Sequence, residues 1–438
     1  MKTGNLALGF LGGLRKERGE ATSGMSKANL VFRLGQVLTV VGLVAWGLQL
    51  KNGLFITGLR NPFAWGLYIA TFAFFVGTAA GGLIISSAVY LFNLKTLKPF
   101  TRLASLSAFA SIVAATAAVL VDLGRADRFY QLFFHPNFRS PLIWDVLVVG
   151  TYVVLTFLSV YFQLLPIGAK EGGRFPFAWA TSLPRDQVED ISRRWTRRVA
   201  LVGLPVAILI HTITALIFAT QASRAWWNTA VLPPDFIAVA VASGTALVLI
   251  MALFTIDRHR FREFQGAFRL LSKIIGGALL VHFFFMYNDL LIHWWWGKEE
   301  AAGTLALVFG RYLPLHLIEV VLPLAALLYF LSRDGARSVG ALVLGATAVL
   351  VGVFAHRLLL MYPAQNRFPL SLALPGKTGF WNYPIAVGQF RPGEPVFATF
   401  WPYLPTVLEV AVALLPFGLL LLISGWFIRN HPFLGESS

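Results

Sequence analysis

Ten long apolar runs constrain this chain more than any other feature. A hydrocarbon core about 30 Å thick is crossed by about 20 helical residues. Runs near 31–50, 63–92, 101–122, 141–165, 197–223, 234–255, 270–295, 310–331, 338–362 and 404–428 each reach that length. Backbone groups inside lipid have no water to bond, so such runs must be helices, and the weak alternation that marks a membrane β-barrel is absent from the sequence. The predicted fold class is an all-α integral membrane protein with about ten transmembrane helices. Hydrophobic residues make up 57% and charged residues 13%, which excludes a large water-soluble enzyme. The net charge of +16 comes from Lys and Arg in the short links between runs, where membrane topology accounts for it and nucleic-acid binding is not needed. With no cysteine, the chain holds no disulfide, thiolate metal site, Cys-ligated iron–sulfur cluster or Cys nucleophile. A metal–sulfur redox centre must then belong to a partner.

Orientation follows from the basic residues. Of the 36 Lys and Arg, 24 fall on the side that holds both termini and 11 on the other, with Arg357 inside span 9. The positive-inside bias therefore predicts cytoplasmic termini and a multi-pass protein of the inner (cytoplasmic) membrane. Residues 1–30 lack a compact apolar core with a small-residue cleavage site and read as a cytoplasmic tail. The link at 166–196 is then cytoplasmic and basic. The link at 363–403 is external and carries Phe380, Trp381, Tyr383, Phe390, Phe397, Phe400, Trp401 and Tyr403. Such a loop is either a docking surface or a segment folded back onto the membrane interface, where aromatic residues settle.

Ionisable groups within spans are costly unless they face the bundle interior or water, so each is a site candidate. Spans 4, 8 and 10 each open with a proline and then a carboxylate about one turn in: Pro141 with Asp145, Pro314 with Glu319, and Pro405 with Glu409. The positive end of a helix dipole favours an acid there, so a helix-terminal acid in its preferred place is the plain alternative, strongest for Glu409. Span 7 sets His282, Met286, Asp289 and His293 on one helical face, which must look into the bundle. Span 8 adds His316 one turn before Glu319, and span 9 adds His356 and Arg357. A satisfied core histidine accounts for any one of these alone; their shared depth toward the external side points to function. His211 and His282 both fall near mid-membrane and raise bis-His haem ligation, a weak signal from two lone histidines. Gly77 and Gly81 on span 2 have GxxxG spacing, which permits close helix packing and would equally leave room for an isoprenoid ring or tail.

The string NPFAWGLYIATFAFFVGTAAGG, from Asn61 to Gly82, is followed after a third span by DLGRADRFYQLFFHPNFRSPLIWDV, from Asp122 to Val146. Together they resemble the NrfD/PsrC family of polysulfide-reductase membrane subunits, and the ten-span length is similar to its larger branch, with HybB-like, DsrP-like and alternative-complex-III subunits. These motifs cover about a fifth of the chain; spans 6–10 match only in number and general character. The resemblance implies two four-helix bundles plus peripheral helices. The segments are then a tail at 1–30, a first peripheral span and link at 31–62, bundles at 63–223 (spans 2–5) and 234–362 (spans 6–9), the aromatic loop at 363–403, and a tenth span and tail at 404–438.

It further implies a quinone-reactive subunit with quinone or quinol (menaquinone or ubiquinone) as substrate and no haem or iron–sulfur cluster of its own. Its implied partners are a periplasmic four-cluster ferredoxin-like iron–sulfur subunit and a catalytic subunit of molybdopterin, multihaem or hydrogenase type. By position, Asp145 matches the family's acid beside the quinone headgroup, and Asp122, Arg125, Asp127 and Arg128 match its loop near the partner interface. Trp65, Tyr68, Gly77, Gly81 and Trp144 lie within the matching strings and complete the implied pocket. Some members place a histidine on the third span; here Thr101 to Val121 has none, leaving His211 or a second-bundle residue (His282, Asp289, His316, Glu319, His356, Arg357) as the second headgroup partner. Quinol oxidation sheds protons with its electrons, so a carboxylate bonded to a quinol hydroxyl can act as general base. Two other readings stand beside this one. A secondary transporter would place its charges at the midplane and break a helix there, and neither feature is seen; a structural anchor would carry no chemistry.

Overall fold

The computed structural model describes the chain apart from residues 1–3, 171–176, 297–298, 333–335, 337, 368–370, 374, 377–379, 388–394 and 432–438. Among the described residues, ten helices are long and apolar enough to cross a membrane. They are span 1 (Lys27–Asn52), span 2 (Leu67–Leu91), span 3 (Lys95–Asp122), span 4 (Pro141–Lys170), span 5 (Arg185–Ala219), span 6 (Leu232–Thr255), span 7 (Gln265–Trp295), span 8 (Leu313–Leu331), span 9 (Val339–Asn366) and span 10 (Val407–Asn430). The protein is an all-α integral membrane protein.

Spans 2 to 5 pack in a ring, each on the next and span 5 back on span 2; spans 6 to 9 pack in a second ring of the same kind. The rings meet where span 2 lies against spans 6 and 9 and span 5 lies against span 6. Spans 1 and 10 pair with each other, and span 10 rests on span 3. Burial follows this plan: 94% of the apolar window of span 2 is buried against 22% for span 1, so span 2 is the inner post and span 1 faces outward. Span 2 reaches that position through its small residues. A methyl group on Gly81 would lie 2.2 Å from the Ala240 carbonyl oxygen and 2.7 Å from Gly244 Cα of span 6, and one on Gly82 would lie 2.6 Å from Ser107 Oγ of span 3. Polar contacts also tie the first ring: Gln163 Nε2 donates to Ser105 Oγ (2.6 Å) and Ser159 Oγ (3.0 Å), and Ser86 and Ser105 hydroxyls bond at 2.7 Å. Short side chains that hydrogen-bond across helices are the usual glue where lipid removes the hydrophobic drive.

Three segments extend beyond what apolar runs reveal. The helix of span 5 begins at Arg185, twelve residues before its apolar run, and that polar extension carries exposed pairs such as Arg185 with Glu189 at 2.9 Å. A further helix, Glu299–Phe309, lies in the link before span 8. The long link after span 9 holds two small antiparallel pieces, Ser371–Ala373 with Phe380–Asn382 and Ile385–Ala386 with Phe397–Ala398.

The last part of that link folds back on the chain. Tyr403 is buried, its ring stacks on Phe63 at 4.3 Å, and its hydroxyl accepts from the Leu67 N–H (3.0 Å) and donates to Glu409. Trp401 Nε1 donates to the Gly58 carbonyl (3.2 Å), and the Arg60 guanidinium lies 4.8 Å from its ring centroid. Tyr383 and Phe397 are exposed, Phe400 is half-buried, and Phe390 lies outside the described residues.

Candidate functional site

Span 6 opens Leu232, Pro233, Pro234, Asp235, and the prolines fit a first helical turn whose N–H groups would be unpaired in any case. This turn delivers Asp235, buried, to the interior of the second ring. His282 of span 7 bonds it, Nδ1 to Oδ1 at 2.6 Å, and His356 of span 9 sets Nε2 3.4 Å from its other oxygen, Oδ2. His356 Nδ1 in turn lies 2.6 Å from Glu319 Oε1, and His316 Nδ1 lies 2.7 Å from Glu319 Oε2. The five side chains thus alternate as His282, Asp235, His356, Glu319, His316, and all four spans of the ring contribute. An ionised carboxylate only accepts, so His282 turns an N–H toward Asp235, and His316 and His356 each turn one toward Glu319. Each buried carboxylate faces two imidazoles, which is how a charge is kept inside a low-dielectric bundle.

A cleft opens beside this row and holds about 590 Å³ of non-atom space, part of it open to the outside. Asp235, Asp289, His316, Glu319 and His356 supply its polar wall, and Trp226, Phe285, Met286, Leu359 and neighbours its apolar one. The span 7 face predicted to look inward does so: His282 and His293 are buried, and Met286 and Asp289 line the cleft. Below Asp289, the two ring nitrogens of His293 meet backbone oxygens of Asp289 (2.8 Å) and Ala225 (2.9 Å). A lining that is mostly apolar, with a few convergent hydrogen-bonding groups, suits an amphipathic ring better than a sugar.

In the first ring Asp145 is buried and accepts from the Thr214 hydroxyl of span 5 at 2.6 Å. Trp144 beside it is exposed, and its Nε1 donates to the Phe138 carbonyl at 2.8 Å. His211, also on span 5, is buried and neither ring nitrogen has a hydrogen-bond partner among the described residues. Arg357 is fully buried, its guanidinium carbon 3.8 Å from the Phe236 ring centroid, and its three nitrogens likewise make no hydrogen bond among the described residues. These two groups lie at the seam between the rings, on spans 5 and 9.

The remaining sequence candidates separate into packing and surface positions. Gly81 is closed over by span 6, whereas a methyl on Gly77 would only touch Ser243 Oγ at 3.5 Å. Tyr68 donates to Gln49 of span 1 (2.6 Å), and Trp65 stacks on Trp227 (5.7 Å between centroids) while Gln365 bonds its backbone from both sides. Asp122 ends span 3 half-buried with Oδ1 unpaired among the described residues. Arg125 and Asp127 form an exposed pair at 2.8 Å that holds the Asp127 carboxyl below the usual carboxylate range, and Arg128 is exposed.

Two groups escaped sequence reasoning. Asp235 sits in a proline-then-acid setting like Asp145, Glu319 and Glu409, but it follows Pro234 directly at the start of its run instead of standing a turn inside it. Thr214 had no signal at all, since a lone hydroxyl on an apolar span is unremarkable until its partner is known.

The NrfD family model, described as "Polysulphide reductase, NrfD", matches residues 56–369, which spans both rings and the row of imidazoles and carboxylates. The chain belongs to the NrfD family. Curated relatives in sequence include a putative dimethyl sulfoxide reductase membrane subunit from Halobacterium salinarum, 38% identical over 56% of this chain and 56% of that protein. A Hdr-like menaquinol oxidoreductase integral membrane subunit from Archaeoglobus fulgidus is 30% identical over 56% and 55%. A polysulfide reductase chain from Wolinella succinogenes is 26% identical over 70% of this chain and 96% of its own length. The match spans little more than half the length of the first two of these relatives.

Proposed function

We propose that this NrfD-family chain is the quinone-reactive membrane subunit of a multisubunit respiratory oxidoreductase in the inner membrane. It exchanges electrons between the quinone pool and a periplasmic iron–sulfur subunit, which serves a separate catalytic subunit. The observation that carries this reading is the set of buried carboxylates, each held by an imidazole or a hydroxyl, near the starts of spans 4, 6 and 8, with an apolar-walled cleft beside two of them. A relative named for menaquinol oxidoreduction supports the substrate class.

Oxidation of a quinol to a quinone releases two electrons and two protons. The electrons leave to the partner; the protons need acceptors beside the hydroxyls. Asp145 is assigned the first acceptor, with the Thr214 hydroxyl fixing which carboxylate oxygen stays free. The row from His316 through Glu319 to His356 is suited to hold a released proton, because it alternates imidazoles and a carboxylate, groups that each take up and release one.

The test is steady-state quinol oxidation in the assembled complex. Asn keeps the size of Asp and a hydrogen-bond acceptor but takes no proton at neutral pH. Asp145→Asn should leave assembly intact and cut turnover by roughly two or more orders of magnitude, the scale of losing a general base. Near-normal turnover would remove Asp145 from this role.

A further inference from the structure

We propose that Asp235, His282 and His356 form a binding site for a divalent transition ion of the zinc type, joining spans 6, 7 and 9 at one point in the second ring. The donor set is two imidazoles and one carboxylate, and one ligand atom from each residue lies within 4.8 Å of the other two. That combination with an open fourth position is the arrangement zinc takes where three protein groups hold it.

The decisive feature is His356. Its Nδ1 lies 2.6 Å from Glu319 Oε1, which accepts from it when ionised, so in the neutral ring Nε2 carries the lone pair. Nε2 makes no hydrogen bond among the described residues and stands 3.4 Å from Asp235 Oδ2. A nitrogen lone pair facing a carboxylate oxygen is repulsive unless a positive centre sits between them. The separation is also about the ligand-to-ligand edge of a tetrahedral site with bonds near 2.1 Å. A second proton on His356 fills the same gap, and this is the alternative that the experiment must separate from a metal.

The surroundings supply what a metal site needs beyond its ligands. Glu319 stands behind His356 and is itself bonded by His316 at 2.7 Å, the carboxylate-behind-histidine support that fixes ring orientation in metal sites. Asp235 and His356 both line the cleft, which gives an entry path and space for a fourth, exchangeable ligand. On binding, the His282 Nδ1 to Asp235 Oδ1 hydrogen bond, 2.6 Å long, is exchanged for a nitrogen-to-metal bond, and the displaced proton leaves to solvent; no electron is transferred. The inference does not depend on the quinone reading, because binding requires no quinone.

The experiment uses the full chain in detergent, stripped with a chelator and titrated with Co²⁺, whose visible absorption is intense when four-coordinate. One Co²⁺ per chain with those bands, displaced by Zn²⁺, is the expected result. His356→Ala and Asp235→Asn should each weaken binding by about tenfold or more, and Glu319→Gln by about ten- to a hundredfold through loss of ligand orientation. His259→Ala, at an exposed position, should leave binding unchanged. Absence of the bands in the wild-type protein at one equivalent of Co²⁺ overturns the site, as do bands that persist in both ligand variants. If a variant does not fold, the wild-type titration alone decides.

Discussion

Glu409 shows how a residue's neighbours can change its meaning. From sequence it is a helix-terminal acid, and Thr406 does cap that helix by accepting from the Glu409 N–H at 3.2 Å. The side chain does something else. It is fully buried, it accepts from the Gly58 N–H at 2.9 Å and from the Tyr403 hydroxyl, and so it ties the link before span 2 to the start of span 10. Burial and the Glu409 charge push the Tyr403 phenol well above its ordinary value, so it stays protonated and keeps donating at any physiological pH. Glu409→Ala strands two donors, each costing about 1–3 kcal/mol when left unpaired in the interior. The expected outcome is a clearly lowered thermal midpoint in detergent, with Glu409→Gln in between because its amide oxygen still serves one donor. An Ala variant that melts with the wild type would show that these bonds do not hold the loop. Arg357 poses the opposite case. Its side chain is the largest fully buried one among the described residues, and the Phe236 ring is its clearest described contact. Its position on a span was legible as a cost, but its setting at the seam of two rings was not.

At the scale of elements, what the sequence revealed is what hydropathy measures. All ten spans are legible because an apolar run has no alternative in lipid, and the inward face of span 7 is legible because its polar residues recur at helical spacing. A polar helix is invisible to the same measure, and so is one too short to cross the membrane, which is why the extension at Arg185 and the 11-residue helix Glu299–Phe309 read as links. Pairings between spans are also hidden: nothing local says that His356 will meet Asp235 and Glu319 at once. The glycines of span 2 mark the boundary between the two kinds of knowledge. Their spacing announces close packing, but only the structure separates Gly81, against the Ala240 carbonyl, from Gly77, with open contact to Ser243. A matched pair of variants tests this. Gly81→Ala should force spans 2 and 6 apart and cost about 1–3 kcal/mol as overpacking, read as a lower thermal midpoint or loss of folded protein. Gly77→Ala meets an ordinary contact and should be close to neutral. Equal effects at the two sites would mean that span 2 does not approach span 6 as described.

For the whole molecule, the repeated device is an acid near the start of a descending span: Asp145, Asp235, Glu319 and Glu409 on spans 4, 6, 8 and 10. Because alternate helices run in opposite directions, these four starts share one end of the protein, and the helix dipoles there all present their positive ends to the acids. Under the proposed function, the side of the membrane that end faces decides where protons are exchanged and where an electron partner docks. The basic residues give an expectation by number: 24 lie on the opposite side and 11 on this one, so the positive-inside bias predicts that the acid-bearing end faces outside. Arg367 lies at that end, just past span 9, and Arg193 at the other, within the polar extension of span 5. A reporter that is active only outside the cytoplasm should work when fused near Arg367 and fail when fused near Arg193. The reverse pattern would carry Asp145 and the whole imidazole–carboxylate row to the cytoplasmic side. Quinol protons would then be released inward and a periplasmic iron–sulfur partner would have no route to the headgroup, so a single pair of fusions separates the proposed direction of proton release from its opposite.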